Sequence, residues 1–114
     1  MPSLRSAPRH SAGALALAAA AACAVYANAV RNGYALDDEY IVLRNPLVHG
    51  LGRVGELLGS AYWPNSDELY RPVTLLSFAG EWALFGDAPG IFHATNVLLH
   101  AVVSLLVAGL VLRL

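Results

Sequence analysis

"IFHATNVLLHAVVSLLVAGLVL", residues 91–112, decides the fold: it runs without a formal charge, and Arg113 follows at once. As an α-helix rising about 1.5 Å per residue it reaches roughly 33 Å, enough to cross the hydrocarbon core of a bilayer. The composition supports a span rather than a core helix. Of 114 residues 57% are hydrophobic and only 13% charged, more apolar surface than one small soluble core can hide. The apolar residues also gather at the two ends of the chain.

The other end holds "AGALALAAAAACAVYANAV", residues 12–30, again uncharged and preceded by Arg5, Arg9 and His10. Two readings compete for it. One is a transmembrane helix; the other is a cleaved signal peptide, since Ala27-Asn28-Ala29 fits the small-x-small cleavage pattern. The run exceeds the roughly 7 to 15 residues of a signal h-region, which favours the uncleaved helix. Its alanine content makes it a weak spanner that needs neighbouring helices.

Residues 31–90 carry all eight acidic residues and four of the seven arginines. Arg5, Arg9 and Arg113 flank the outer ends of the two apolar runs. The positive-inside rule then puts residues 1–11 and 113–114 in the cytoplasm and the middle in the periplasm or ER lumen. A net charge of −1 without any lysine gives no reason to expect a nucleic-acid partner. The single cysteine, Cys23, can form neither an intrachain disulfide nor a zinc cluster.

The middle is expected to be ordered. "LGRVGELLGSAYW", residues 51–63, places Leu51, Val54, Leu58 and Tyr62 at helical spacing. In "RPVTLLSFAGEWALFG", residues 71–86, Pro72 suits a first helical position and Gly86 a stop. Leu75, Phe78, Trp82 and Phe85 would line one face, and such a helix can lie in the membrane interface with its aromatics at headgroup depth. The competing reading is an ordinary core-facing helix. "GDAPG", residues 86–90, is the turn into the second span. The expected fold is an all-α membrane protein: two transmembrane helices joined by an outer loop with two short amphipathic helices.

Three groups of residues could carry chemistry. Asp37, Asp38 and Glu39 stand side by side in "GYALDDEYIVLRNP", residues 33–46. Repulsion raises the pKa of one member of such a set, and a carboxylate pair can serve as a general base; a solvated polar cap at a helix end is the plainer reading. His93, Asn96 and His100 recur at steps of three and four, within a ~60° arc of one helix. Polar residues on one face of a span look into a bundle or cavity. There they line a site or form interhelical hydrogen bonds, and His100, the deepest, suits the structural role. A divalent metal held by His93 and the acids is compatible with these residue types, but no ligand spacing demands one. Arg71, in "LYRPV", precedes a proline and so favours an extended backbone at a helix N-terminus. Arginine and free amides there suit a phosphate; an ion pair with Asp67 or Glu68 is the alternative.

Three stretches in order, "NGYALDDEYIVLRNPLV" (32–48), "LYRPVTLLSFAGEWALFG" (69–86) and "FHATNVLLHAVVSLL" (92–106), together resemble the N-terminal part of GT-C membrane glycosyltransferases. The likeness is to the protein O-mannosyltransferase-like branch that carries tetratricopeptide repeats. The resemblance implies that Asp37 is the base that deprotonates an acceptor hydroxyl, with Asp38 beside it. It implies a polyprenyl-phosphate-linked, mannose-like sugar donor, inversion at the anomeric carbon, and a protein or other hydroxyl acceptor at the lipid surface. Arg71 would sit near the lipid phosphate, and His93 and Asn96 would face the substrates. Some relatives use a divalent metal and others none, so no cofactor is expected from it. Such enzymes have many spans, so a two-span chain is expected to be the start of a longer protein, inactive alone. Two other readings remain: a non-enzymatic two-span membrane protein, and an exported protein with a cleaved signal and a C-terminal anchor.

Overall fold

A computed structural model describes residues 9–114, with side chains from Ser11 onward; Arg5 and most of the expected cytoplasmic segment 1–11 lie outside the described residues. The described chain is helical, with no strand. In order come α1 (Arg9–Tyr26), α2 (Val54–Leu58), α3 (Pro72–Phe85) and α4 (Pro89–Val111). Short irregular helical turns occupy Ala27–Arg31, Glu39–Leu43 and Pro46–Val48. The chain divides into two compact units, residues Arg31–His93 and the two flanking helical segments.

The segments Ser11–Arg31 and Pro89–Val111 are long and apolar enough to cross a membrane. Their large side chains point outward: Leu17 is 70% exposed and Leu106 68%. A core helix of a soluble protein would hide such residues, whereas a lipid-facing one need not. The two helices touch at few points. The rings of Tyr26 and His100 meet edge-on, 5.0 Å between centroids. Leu15 reaches toward Gly109, where an added Cβ would lie 3.9 Å from its Cδ2, and Ala22 and Ala101 are buried. Small residues let helix backbones approach in lipid. The second helix begins at Pro89, inside the expected "GDAPG" turn, because proline at the first helical position sacrifices no intrahelical hydrogen bond.

The loop unit has its own core of Ile41, Val48, Leu57, Leu75 and Ala79, with Tyr62, Trp63 and Phe78 packed against it. α3 lies on both α2 and the Pro46–Val48 turn. That turn is set by Asn45, which is buried and whose Oδ1 accepts the Leu47 N–H at 3.1 Å, while Pro46 fixes the next backbone angle. Asn45→Ala should lower the stability of this unit by about 1 kcal/mol in detergent-solubilised urea unfolding, whereas a change within 0.2 kcal/mol, roughly the lower limit of a cap's worth, would mean the cap is idle.

Two sequence expectations need correction. α2 is five residues long, and its buried side chain is Leu57, while Leu51 and Leu58 are exposed. Gly59 closes the helix too early for the longer face to form. On α3 the inward face runs through Leu75, Phe78, Ala79 and Trp82, but Phe85 is exposed. At about 100° per residue Phe85 projects only about 20° from Phe78, but as the last residue of α3 it lies beyond the core cluster. α3 thus faces a core, as the competing reading held. It also carries a second apolar face of exposed Val73, Leu76 and Leu84.

Candidate functional site

The acidic stretch is held in place by aromatic packing. Phe92, nearly buried, lies 5.9 Å from the ring of Tyr34, 5.9 Å from Phe78 and 6.4 Å from Trp82. Trp82 stacks flat on His49 at 3.8 Å, and His49 Nε2 donates to the Val42 carbonyl at 2.9 Å. His93 Nε2 donates to the Gly33 carbonyl at 3.0 Å. These contacts pin both ends of residues 33–49. Between them the chain turns through Leu36, which adopts a positive φ of 52°, with Asp38 N–H bonded to the Ala35 carbonyl at 3.1 Å. A branched side chain in the left-handed region costs about 1–2 kcal/mol, and such strain gathers at functional segments. The chain's other such residue among those described, Leu69 at φ 61°, lies two positions before Arg71.

Tyr34 is the most perturbed group. Burial, then the Asp87 carboxylate, then Asp38 and Glu81 push its hydroxyl up from 10 to about 12. Asp87 opposes its ionisation from outside strict hydrogen-bond geometry, since the buried hydroxyl has no such partner among the described residues. In an alkaline absorbance titration of the five tyrosines, one should ionise near 12 and vanish from the curve in Tyr34→Phe. The raised folded value means that its contribution to stability is intact below pH 10 and is lost as pH climbs toward 12. Complete titration of all tyrosines by pH 11 would contradict this placement.

The three adjacent acids have different surroundings. Glu39 forms an ion pair with Arg44, whose guanidinium also lies 5.5 Å from the Tyr40 ring centroid. Asp37 is exposed and Asp38 half-buried, and neither carboxylate enters an ion pair or hydrogen bond found among the described residues. Both act on Tyr62. Burial raises the Tyr62 pKa, Arg71 opposes that rise, and Asp37 and Asp38 reinforce it. The Arg71 guanidinium lies over the same ring at 5.0 Å. Arg71 is exposed, makes no ion pair with Asp67 or Glu68, and caps α3 by position without a side-chain bond. Tyr62 thus links Arg71 to the acids, which spacing alone did not reveal.

The remaining expected residues divide. His93 belongs to the loop unit and uses one ring nitrogen on Gly33. Asn96 is an exposed residue of α4 in the helical unit. No three His, Cys, Asp or Glu side chains among the described residues are grouped as a metal site. Sequence reasoning missed Tyr34, His49, Tyr62 and Phe92. Their only local signal was aromatic character beside the acidic and arginine motifs.

No protein-family model and no solved structure matches the chain. Curated proteins do. It is 36% identical over 101 residues to protein O-mannosyl-transferase TMTC1 of Mus musculus, covering 82% of this chain and 11% of that protein. It is 33% identical over 101 residues to TMTC1 of Homo sapiens, covering 82% of this chain and 12% of that one. Against human protein O-mannosyl-transferase TMTC3 it is 33% identical over 89 residues, 73% of this chain and 10% of the relative. The chain therefore spans about a tenth of the length of these relatives. Over about four fifths of its own length this chain is similar to one segment of the protein O-mannosyl-transferases.

Proposed function

We propose that these residues form the acceptor-activating part of an integral-membrane glycosyltransferase that moves a mannose-like sugar from a polyprenyl-phosphate carrier to a protein hydroxyl. The observation that supports the reading is that Tyr62, under the Arg71 guanidinium at 5.0 Å, also feels the negative charges of Asp37 and Asp38. Asp37, exposed and unpaired, accepts the acceptor O–H proton as the oxygen attacks the anomeric carbon. The bond from that carbon to the phosphate oxygen breaks on the opposite face, so the configuration inverts and polyprenyl phosphate leaves. Asp38 places a second negative charge beside Asp37. Arg71 and the free amides at the start of α3 receive the developing phosphate charge. His93 holds Gly33, and with it the acidic turn; Asn96 is assigned to the substrate-facing side of α4.

A lipid-linked donor requires this chemistry at the membrane surface. Both chain termini are placed in the cytoplasm and residues 31–90 in the periplasm or lumen, with the exposed Val73, Leu76, Leu84 face of α3 in the membrane interface. The relatives' length makes transfer a property of a larger protein, with this segment supplying the base. The test is a chimaera in which residues 31–93 replace the matching segment of a full-length relative. Transfer from polyprenyl-phosphate mannose is expected, and transfer from a nucleotide sugar alone would contradict the carrier assignment.

A further inference from the structure

Residues 62–69 close into a compact loop. Tyr62 N–H donates to the Leu69 carbonyl at 2.8 Å and Ser66 N–H to the Trp63 carbonyl at 3.2 Å. Glu68 N–H donates to Ser66 Oγ at 3.2 Å, and Tyr70 Oη donates to the Leu58 carbonyl at 2.6 Å just outside the loop. The loop borders a cleft of about 350 Å³ lined by Tyr40, Trp63, Pro64, Asn65, Ser66 and Glu68. Trp63 is fixed from behind, packed on the core and set edge-on to Tyr62 with 6.0 Å between centroids. That volume is near the lower end for ligand pockets, suited to one ring rather than a chain.

The lining has a definite chemistry. Two aromatic rings offer electron-rich faces that attract the weakly positive C–H groups of a saturated ring. The Asn65 amide and the Glu68 carboxylate enter no side-chain hydrogen bond or ion pair found among the described residues. Ser66 accepts from Glu68 N–H yet keeps its own proton to donate. A carboxylate, an amide and a hydroxyl suit a ligand whose neighbouring hydroxyls both donate and accept. None of the lining residues is a cation, and Arg44 nearby is paired with Glu39, so an anion is disfavoured.

We propose that this cleft is a binding site for a neutral pyranose, its lining including neither Asp37 nor Arg71. Its geometry is independent of the transfer reading, which supplies only the choice of a mannoside as probe. A neutral sugar here would come from a glycosylated acceptor, and a phosphorylated one from the donor.

The full chain in lipid nanodiscs, with 15N-labelled tryptophan, gives two indole signals; Trp82, outside the lining, is the internal reference. Methyl α-mannopyranoside should shift the Trp63 signal alone, saturating with a dissociation constant on the order of 1 mM. Asn65→Ala and Glu68→Gln, both at exposed positions outside the core, should each raise that constant about five- to tenfold. No movement of Trp63, an equal response to glycerol, or a stronger response to mannose 1-phosphate or to a proline-rich peptide would overturn the proposal. These readouts need no transfer activity, so a failed cleft and a failed transferase assignment remain distinguishable.

Discussion

Asp37→Asn in the chimaera should lower sugar transfer by about 10²- to 10⁴-fold, with little change in KM for the acceptor. Asparagine keeps the size and most of the polarity of the side chain but cannot take a proton. The loss therefore falls on the step in which the acceptor hydroxyl becomes a nucleophile. The neighbours serve as controls. Asp38→Asn should cost less, because Asp38 acts through the charge it places beside Asp37 and Tyr62. Glu39→Gln should stay within about threefold, less than the tenfold that one pK unit or about 1.4 kcal/mol represents, because Glu39 is committed to Arg44. Single-turnover assays with labelled donor separate the three. Equal losses at all three positions would mean that the stretch matters only as an acidic patch.

Leu75→Ala should destabilise the loop unit by about 2–5 kcal/mol, the range for removing a buried leucine side chain with partial collapse of the cavity. Leu75 has no exposed surface and sits in one cluster with Ile41, Val48, Leu57 and Ala79, so no solvent reaches the space it leaves. Hydrogen exchange of residues 41–79 in detergent would report the loss directly. Leu84→Ala provides the contrast on the same helix. Leu84 is 77% exposed, so its truncation should stay within about 0.5 kcal/mol in that assay. If Leu84→Ala proves as damaging as Leu75→Ala, the two faces of α3 are assigned the wrong way round.

Much of the architecture was legible because it depends on local rules. Two uncharged runs of helical length, and Pro72 and Gly86 bracketing α3, each act within a few residues of where they are read. The failures came where tertiary contacts choose among equivalent local options. Leu51, Leu57 and Leu58 all fit helical patterns, but only the docking of α2 on α3 selects Leu57. Phe85 fits the apolar stripe of α3 in sequence, yet stands at the end of the helix, beyond the core cluster. At the site, sequence adjacency singled out the three acids but could not rank them. The Arg44 pair, seven-tenths of a helical heptad away from Glu39 and made through an irregular turn, withdraws Glu39 and leaves Asp37 and Asp38. Nothing local announced that Tyr62, under the Arg71 guanidinium, would also feel the Asp37 and Asp38 charges, because that depends on how residues 36–38 and 62–71 fold.

The chemistry depends on one claim: residues 31–90 form an ordered unit outside the membrane, between two helices that cross it. The direct measurement is cysteine labelling of the full chain in the inner membrane of intact bacterial cells, whose periplasm is open to small maleimides. With the native Cys23 replaced by alanine, Asp67→Cys, at an exposed loop position, should react with a membrane-impermeant maleimide without lysis. Labelling that appears only after the membrane is permeabilised would place the acidic motif on the cytoplasmic side and contradict the assignment.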